Sequence, residues 1–466
     1  MARRSGEGSV TRPEIWVSVT CTDRAASLRA LAMDLAAQAA QVDAAVTLLI
    51  NDNSVQAGER ATNRRLGEAL RAAALAVMIE DAPQPGASIA ASRRRQQAQV
   101  RDRLAATRAR PAFVWMLDDD VRLSHLHWTN AWIEDRPLHC HLAFLLALAH
   151  EHSALDVLIG EVCGDAPIPV LGSIVSRLSD LAASLGAMFR AHPDAPWRPP
   201  ADALARLAER DAYYDLSTDR PLRAWQREIL WLPRGGPLTT SQALDQMLAD
   251  VEHVPRGAAF SRPILAQPER FAELVDRPLR GANAVFFDVD RCMQHEYPSV
   301  AIAGIETRRS DMIGTGLLAS AGAAVRGSGF CVLHRRPRDV PWPGSDALAA
   351  SLVADTLGAW LARRLDPHGE EDDRCGWRFL ATRLARLHAA AGALVEICAR
   401  LHGQVREAPA WVPSLDAVRE VADWALASFP GARDGTLPRE LVEVVIATAS
   451  RDDLVAAARP VGGRAA

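Results

Sequence analysis

Along the first third of the chain, short apolar runs rich in β-branched residues alternate with Ala- and Arg-rich stretches whose apolar positions recur at helical spacing. The runs Ile15 to Thr22, Val46 to Ile50, Ala76 to Glu80 and Phe113 to Val121 predict strands. Between them, Ala25 to Ala40, Asn63 to Ala74 and Ser88 to Arg108 predict helices, with Ser27 as candidate cap of the first. Pro83-Gln84-Pro85-Gly86 punctuates the chain before the third helix. Strand and helix alternating at this spacing form βαβ units, and sequential right-handed crossovers make of them a doubly wound α/β sheet.

The pattern loosens further on. Asp156 to Val162 predicts another strand, running into the loop Cys163 to Pro169. From Val170 to about Leu279 the chain is mixed and mostly helical, broken by prolines between Pro193 and Pro200; it is an insertion into the sheet domain or a lid over its site. Strand character returns at Ala282 to Asp288 and at Gly329 to His334. After Pro341-Trp342-Pro343-Gly344, the stretches Asp346 to Leu365 and Trp377 to Leu401 carry apolar residues at helical spacing. These pack either on the core or on a partner chain, which leaves a homo-oligomer through the C-terminal helices open. The expected organisation is a disordered N-terminus (1–12), an α/β half (13–169), a mostly helical insertion (170–279), a second α/β segment (280–340) and a helical C-terminal region (341–466).

Composition narrows the classes. A chain of 466 residues is too long for one ordinary core, and 49% hydrophobic with 24% charged residues is a globular balance. A net charge of -4 offers no general attraction to nucleic acid. No apolar segment reaches spanning length, and the N-terminal residues lack the apolar core of a signal peptide, so the expected location is cytoplasmic. The 7 cysteines are scattered and form no Cys-x-x-Cys pair, which suggests neither a disulfide framework nor a thiolate zinc site. Lysine is absent altogether, so all 53 basic residues are Arg. That excludes Schiff-base chemistry and a Walker A phosphate loop, and it leaves any cationic grip on phosphate to arginine.

The most informative stretch is Phe113-Val-Trp-Met-Leu-Asp-Asp-Asp-Val121, an apolar run that stops at three consecutive carboxylates. A strand covered on both faces delivers Asp118, Asp119 and Asp120 to the sheet edge where α/β folds bind ligands. Carboxylates this close repel one another, and a divalent cation held by oxygen ligands, Mn²⁺ or Mg²⁺, relieves the repulsion. A solvated acidic turn is the alternative.

Taken in order, these motifs resemble a nucleotide-sugar glycosyltransferase of the GT-A type over about residues 13–336, interrupted by the insertion. The resemblance implies a GT-A-type doubly wound mixed sheet that takes a nucleoside-diphosphate sugar and an acceptor not identified by the sequence. It places Thr22, Asp23 and Arg24 against the nucleotide and Asp52, within Asn51-Asp52-Asn53-Ser54, against the base; the same four residues suit an ordinary Asx turn. Gly86-Ala-Ser-Ile-Ala-Ala-Ser-Arg93 resembles the family's glycine turn and helix, with Arg93 available to the diphosphate or lying on a solvated basic face. Asp118 and Asp120 match the Asp-x-Asp motif. Asp120 is implied as direct metal ligand, Asp118 as partner of metal water or ribose, and Asp119 is expected to point across the sheet.

Later segments complete the resemblance. Arg280-Gly-Ala-Asn283 and Arg308-Arg309 are implied to lie near the acceptor, the arginines as a clamp for phosphate or an anionic acceptor. Asp311, in the first turn of a helix expected through Met312 to Ala319, is implied as general base if transfer inverts; a helix cap with a lowered pKa is the alternative. His334, ending the last strand, is implied to complete the metal shell, or is structural. Two other readings compete. Val285-Phe-Phe-Asp288-Val-Asp290 also looks like the nucleophile motif of haloacid-dehalogenase-type phosphatases, although Arg291 and Cys292 depart from its continuation. A non-catalytic GT-A-like scaffold is the second. The histidines at 125, 127, 139, 141, 150 and 152 alternate at His-x-His spacing, which on a helix puts neighbours on different sides and predicts structural roles.

Overall fold

The computed structural model describes residues 12–70, 73–81, 83, 88–107, 110–129, 132–152, 154–165, 178, 181–182, 184–198, 227–228, 235–249, 251, 264–265, 268–275, 283–302, 305–335, 354–355, 357–358, 360–362, 375–404 and 412–428. The expected disordered N-terminus up to residue 11, the glycine turn at Gly86-Ala87 and Arg280 to Ala282 lie outside them.

Strands β1 (Glu14–Cys21), β2 (Ala45–Asp52), β3 (Leu75–Asp81) and β4 (Phe113–Asp118) run parallel in the order β3-β2-β1-β4. Helices α1 (Ala25–Ala39), α2 (Ala57–Leu70) and α3 (Ile89–Ala106) make the crossovers. Beyond β4 come the two-residue β5 (Val121–Arg122), the hairpin β6 (Ser124–Trp128) and β7 (Ile133–Pro137), α4 (His141–Glu151) and β8 (Val157–Gly164). The remaining strands are β9 (Arg227–Glu228), β10 (Ile264–Leu265), β11 (Leu274–Val275), β12 (Ala284–Phe286), β13 (Ala301–Ile302), β14 (Ile305–Glu306) and β15 (Val325–His334). The main sheet continues from β4 through β12, which is antiparallel to both β4 and β8, to β15, parallel to β8, and β11 at the far edge. It is the doubly wound mixed α/β sheet that the spacing and the resemblance predict.

Both faces of the sheet are covered, which is why its strands read as continuous apolar runs. On β4, Phe113, Trp115 and Leu117 join Leu28, Leu31 and Leu35 of α1 and Leu142 and Leu145 of α4 in one core. Val114 and Met116 join Val100 and Leu104 of α3, Met293 and Leu318 in the other. At about 25 cal/mol per Å² of apolar surface, these layers supply the main driving force for the fold. A third core unites Leu181, Leu185 and Met188 and the helix Thr240–Ala249 with the helices Cys375–Gln404 and Val412–Ser428, through Leu394, Cys398, Leu415 and Val418. The apolar stripes of the C-terminal helices are therefore turned inward, onto the segment inserted between β8 and β12. Among the described residues no helix is long and apolar enough to cross a membrane.

Local expectations fail where tertiary partners intervene. Ser27 does not cap α1; Arg24 holds the cap position without a side-chain bond, and the Ala25 amide donates instead to Glu59 of α2 at 2.7 Å. Ser88 does cap α3, accepting from the Ala91 amide, a contact worth about 1 kcal/mol. The strand expected to run to Val121 stops at Asp118, and Asp119-Asp120 form a turn before β5. His125 and His127 lie on β6 rather than on a helix, where i and i+2 share a face, and their rings sit 6.4 Å apart. The phosphatase reading is not supported, because β12 is the reversed strand of the sheet. Its trailing Asp288 caps a six-residue helix, and Asp290 pairs with Arg110.

Candidate active site

The chain order of the strands reverses between β1 and β4, since β2 and β3 extend the sheet on one side and β12 and β8 on the other. Loops leaving the carboxyl ends of two such strands diverge and open a crevice. Thr20 pairs with Asp118 across these two strands, so the loop Thr22-Asp23-Arg24 and the acidic triplet meet at the switch point.

Two arginines divide the carboxylates there. Arg24 reaches Asp120 at 2.7 Å and Asp119 at 3.3 Å, while the Thr22 amide donates to Asp119 at 3.2 Å. Arg93, buried on α3, donates to Asp118 at 2.7 Å through Nη2 and to Asp311 at 3.1 Å through Nε; its Nη1 reaches Gln96 at 2.8 Å. The expected alternation across the triplet is thereby corrected. Asp119 does not stand apart from Asp120 but shares Arg24 with it, because the extended geometry ends at Asp118 and the next two residues turn. Asp118 faces the α3 side.

His334 arrives from the end of β15. Its Nε2 lies 3.3 Å from Asp120 Oδ2, and its Nδ1 bonds the carbonyl of Asp165. The Asp165 amide donates back to the His334 carbonyl at 2.9 Å, and the Arg335 amide to that of Asp120 at 2.8 Å, which fixes both groups. Burial alone lowers the His334 pKa, but the Asp120 carboxylate outweighs it and holds the imidazole up to about 9. Burial likewise pushes Asp120 up, yet His334 and Arg24 hold it below the usual carboxylate range. Asp119 moves the other way, raised by burial and by the charge of Asp120 against the pull of Arg24.

The residues do not assemble into the expected metal triad. Among the described residues no three His, Cys, Asp or Glu side chains gather in ligating geometry. Asp118 is held by Arg93, leaving Asp120 and His334 as a pair. That pair still suits a cation. Asp120 Oδ1 is buried and has no hydrogen-bond partner among the described residues; with Nδ1–H donated to the Asp165 carbonyl, a bound cation would take the place of the Nε2 proton that Asp120 otherwise holds.

Asp311 is the second residue of the helix Ser310–Ser320, and its pKa is raised, not lowered as a cap would have it. Burial raises it most, Arg93 opposes, and the nearby charge of Asp118 adds to the rise. Its side chain keeps 17% of its surface open and that of Asp118 37%, against 4% for Arg93 beneath them.

Other expected residues shape the site from behind. Asp23, at φ 53°, accepts from the Val55 and Gln56 amides, and Asp52 accepts from the Ser54 amide and from Asn63. The acidic turn after β2 is thus tied to the loop after β1. Asn283 is wholly buried: its oxygen accepts from Trp115 Nε1 at 2.8 Å and its amide reaches the carbonyls of Glu161 and Phe330. That places it inside the core rather than facing an acceptor. Arg309 makes a two-pronged ion pair with Asp355 at 2.8 and 3.1 Å, and the Arg308 amide donates to the Ala354 carbonyl. Arg309 therefore anchors the C-terminal region through its side chain, and Arg308 through its backbone amide. Gln96, one helical turn beyond Arg93, was recognisable only from that spacing, whereas nothing in the sequence around Asp355 marks it as a partner.

Fold and site together define an α/β protein with a carboxylate-rich crevice at the switch point of a mixed sheet. No protein-family model matches the chain, and no curated protein does. Solved structures do match at low similarity. A mannosyltransferase from Pyrobaculum calidifontis in complex with GDP-Man and Mn²⁺ is 11% identical, with 90% of this chain and 88% of that one covered and a TM-score of 0.36. Residues 1–349 of S. aureus TarS are 10% identical, with 91% and 93% covered and a TM-score of 0.33; the same protein in complex with UDP scores 0.34. Superpositions of this quality do not carry residues from one chain onto another.

Proposed function

We propose that the chain is a metal-dependent glycosyltransferase that moves a sugar from a nucleoside-diphosphate sugar to an acceptor hydroxyl. The observation that carries this reading is the buried, unpartnered Oδ1 of Asp120 beside His334, at the sheet edge that also presents Asp118 and Asp311. Asp120 and His334 would hold the cation; the carboxylate suits Mn²⁺ or Mg²⁺, and the imidazole beside it favours Mn²⁺ of the two. When bound, such a cation offsets the charge that gathers on a departing nucleoside diphosphate.

The remaining steps belong to the chain. Arg24 limits repulsion between Asp119 and Asp120, so the pair tolerates an anionic substrate. Thr22 and the loops ordered by Asp23 and Asp52 border the nucleotide side, and the open face of Asp118 meets the donor sugar or ribose. Asp311 accepts the proton of the acceptor hydroxyl; its raised pKa makes it a better base than an ordinary carboxylate while Arg93 keeps it in place. Catalysis is then mostly positioning and leaving-group stabilisation.

A thermal-shift series with UDP-, GDP- and dTDP-sugars, with and without Mn²⁺, tests the proposal, since a ligand that binds only the folded state raises its stability. At least one donor should stabilise the protein in a Mn²⁺-dependent way, and Asp120→Ala should remove both that shift and transfer. Full activity in Asp120→Ala rejects the site. Absence of any donor effect favours the scaffold reading.

A further inference from the structure

The helix that carries Asp311 begins in an unusual way. Arg309, immediately before it, has φ 69°, a left-handed conformation that a residue with a long side chain adopts only when its surroundings impose it. Those surroundings come from the C-terminal region. The Arg309 guanidinium grips Asp355 with two hydrogen bonds, and the two side chains are only 9% and 3% exposed. One residue earlier, the Arg308 amide donates to the Ala354 carbonyl at 3.0 Å. Residues 354–362 are helical and buried wherever described, and Gly358 lies so close to the Arg308 carbonyl that there is no room for a Cβ. The backbone at 308–309 is therefore held by an ion pair, a main-chain hydrogen bond and a glycine contact, all from a segment 46 residues away.

Downstream of this grip the geometry is transmitted directly. The Ile313 amide bonds the Arg309 carbonyl, closing the first helical turn, and Asp311 within that turn meets Arg93 on α3. From these contacts we infer that Asp355 is a positioning residue for Asp311: through Arg309 the C-terminal region sets the start of the Ser310–Ser320 helix and thereby where the carboxylate of Asp311 stands relative to the acceptor. This rests on the proposed role of Asp311 as base. It assigns the C-terminal region a part in the acceptor half-reaction, because its ion pair and main-chain hydrogen bond meet the chain at Arg308 and Arg309, immediately before the helix that carries Asp311.

The test compares the full-length chain with Asp355→Asn, which removes the charge, and Asp355→Glu, which restores it on a longer stem. Hydrogen exchange over residues 308–313 should be faster in Asp355→Asn and largely restored in Asp355→Glu. Transfer should fall about 10- to 100-fold in kcat for Asp355→Asn, as expected for a displaced reacting group, with donor KM and the Mn²⁺-dependent thermal shift unchanged. Unchanged exchange overturns the inference, and so does a loss that appears equally in donor KM. Gly358→Ala provides a second perturbation of the same contact from the other side and should give the same exchange signature. If the unaltered chain transfers sugar from no donor, the glycosyltransferase reading fails, while the exchange comparison still decides whether Asp355 holds the helix start.

Discussion

Arg93 and Asp311, 218 residues apart in the chain, meet at 3.1 Å, and the same buried guanidinium holds Asp118 at 2.7 Å. One cation on α3 thus keeps two carboxylates from different halves of the fold within one crevice. The pair is mutual: burial alone would lower the Arg93 pKa, but the two acids hold it well above the usual range.

Removing that cation leaves two part-buried acids facing each other. Arg93→Ala should destabilise the protein by about 3–5 kcal/mol, the loss typical of breaking a buried ion pair from one side. Arg93→Lys should recover little, because an ammonium does not span the two acids and Gln96 as the forked guanidinium does. Denaturant unfolding checks both; a loss below about 1 kcal/mol would show that the acids do not depend on Arg93.

His334 is predicted to matter for the cation more than for the fold. His334→Gln should weaken Mn²⁺ affinity more than about 100-fold, beyond the roughly 10- to 100-fold effect of residues that only orient a ligand. Titration calorimetry with Mn²⁺ on the purified protein measures this without turnover. Unaltered Mn²⁺ affinity in the variant removes His334 from the site.

Asn283 should behave as a core residue. Asn283→Ala takes the partner from Trp115 Nε1, removes one bond from each of two backbone carbonyls and opens a void, which together cost about 2–4 kcal/mol. The unfolding midpoint should drop while donor KM in the folded fraction stays within about twofold. A selective loss of acceptor use at full stability would return Asn283 to the site.

The buried His141 predicts a pH dependence of stability away from the crevice. Its Nε2 contacts the Cys331 carbonyl at 2.8 Å and its Nδ1 the Gln38 amide, a neutral ring packed by Trp115 and Phe330. Burial pushes its pKa down from 6.5 to about 4. Between these values the unfolded chain binds the proton and the folded one does not. The stability from the neutral ring is therefore complete above pH 6.5 and declines as pH falls towards 4, by about 3 kcal/mol. The stability difference between the unaltered chain and His141→Asn should shrink by that amount over the same interval; a constant difference would place the proton on the ring in the fold.

Much of the sheet was legible because its strands are buried on both faces. Ile15, Val17 and Val19 read as an apolar run, and the strand begins and ends within a residue of its expected bounds. The reversed strand β12 was not legible in direction, since three apolar residues do not record which way they run. Hydrogen-bond partners were the least legible. Ser27 suits a helix cap by composition, yet the helix starts earlier, at Ala25, whose amide donates to Glu59 of another helix.

By itself the sequence determined the parallel α/β half, the acidic triplet at the end of β4, and the arrival of Asp311 and His334 late in the chain. Periodicity and strand-end composition are local properties, and local properties survive in a one-dimensional reading. Only the tertiary structure decided how the charges are shared: Arg24 between Asp119 and Asp120, Arg93 between Asp118 and Asp311, and Arg309 with Asp355. It also joined the insertion and the C-terminal helices into one core. An arginine satisfies whichever buried carboxylate the fold brings within reach, and in a chain with 53 arginines and 57 acids that choice is made by packing, not by spacing.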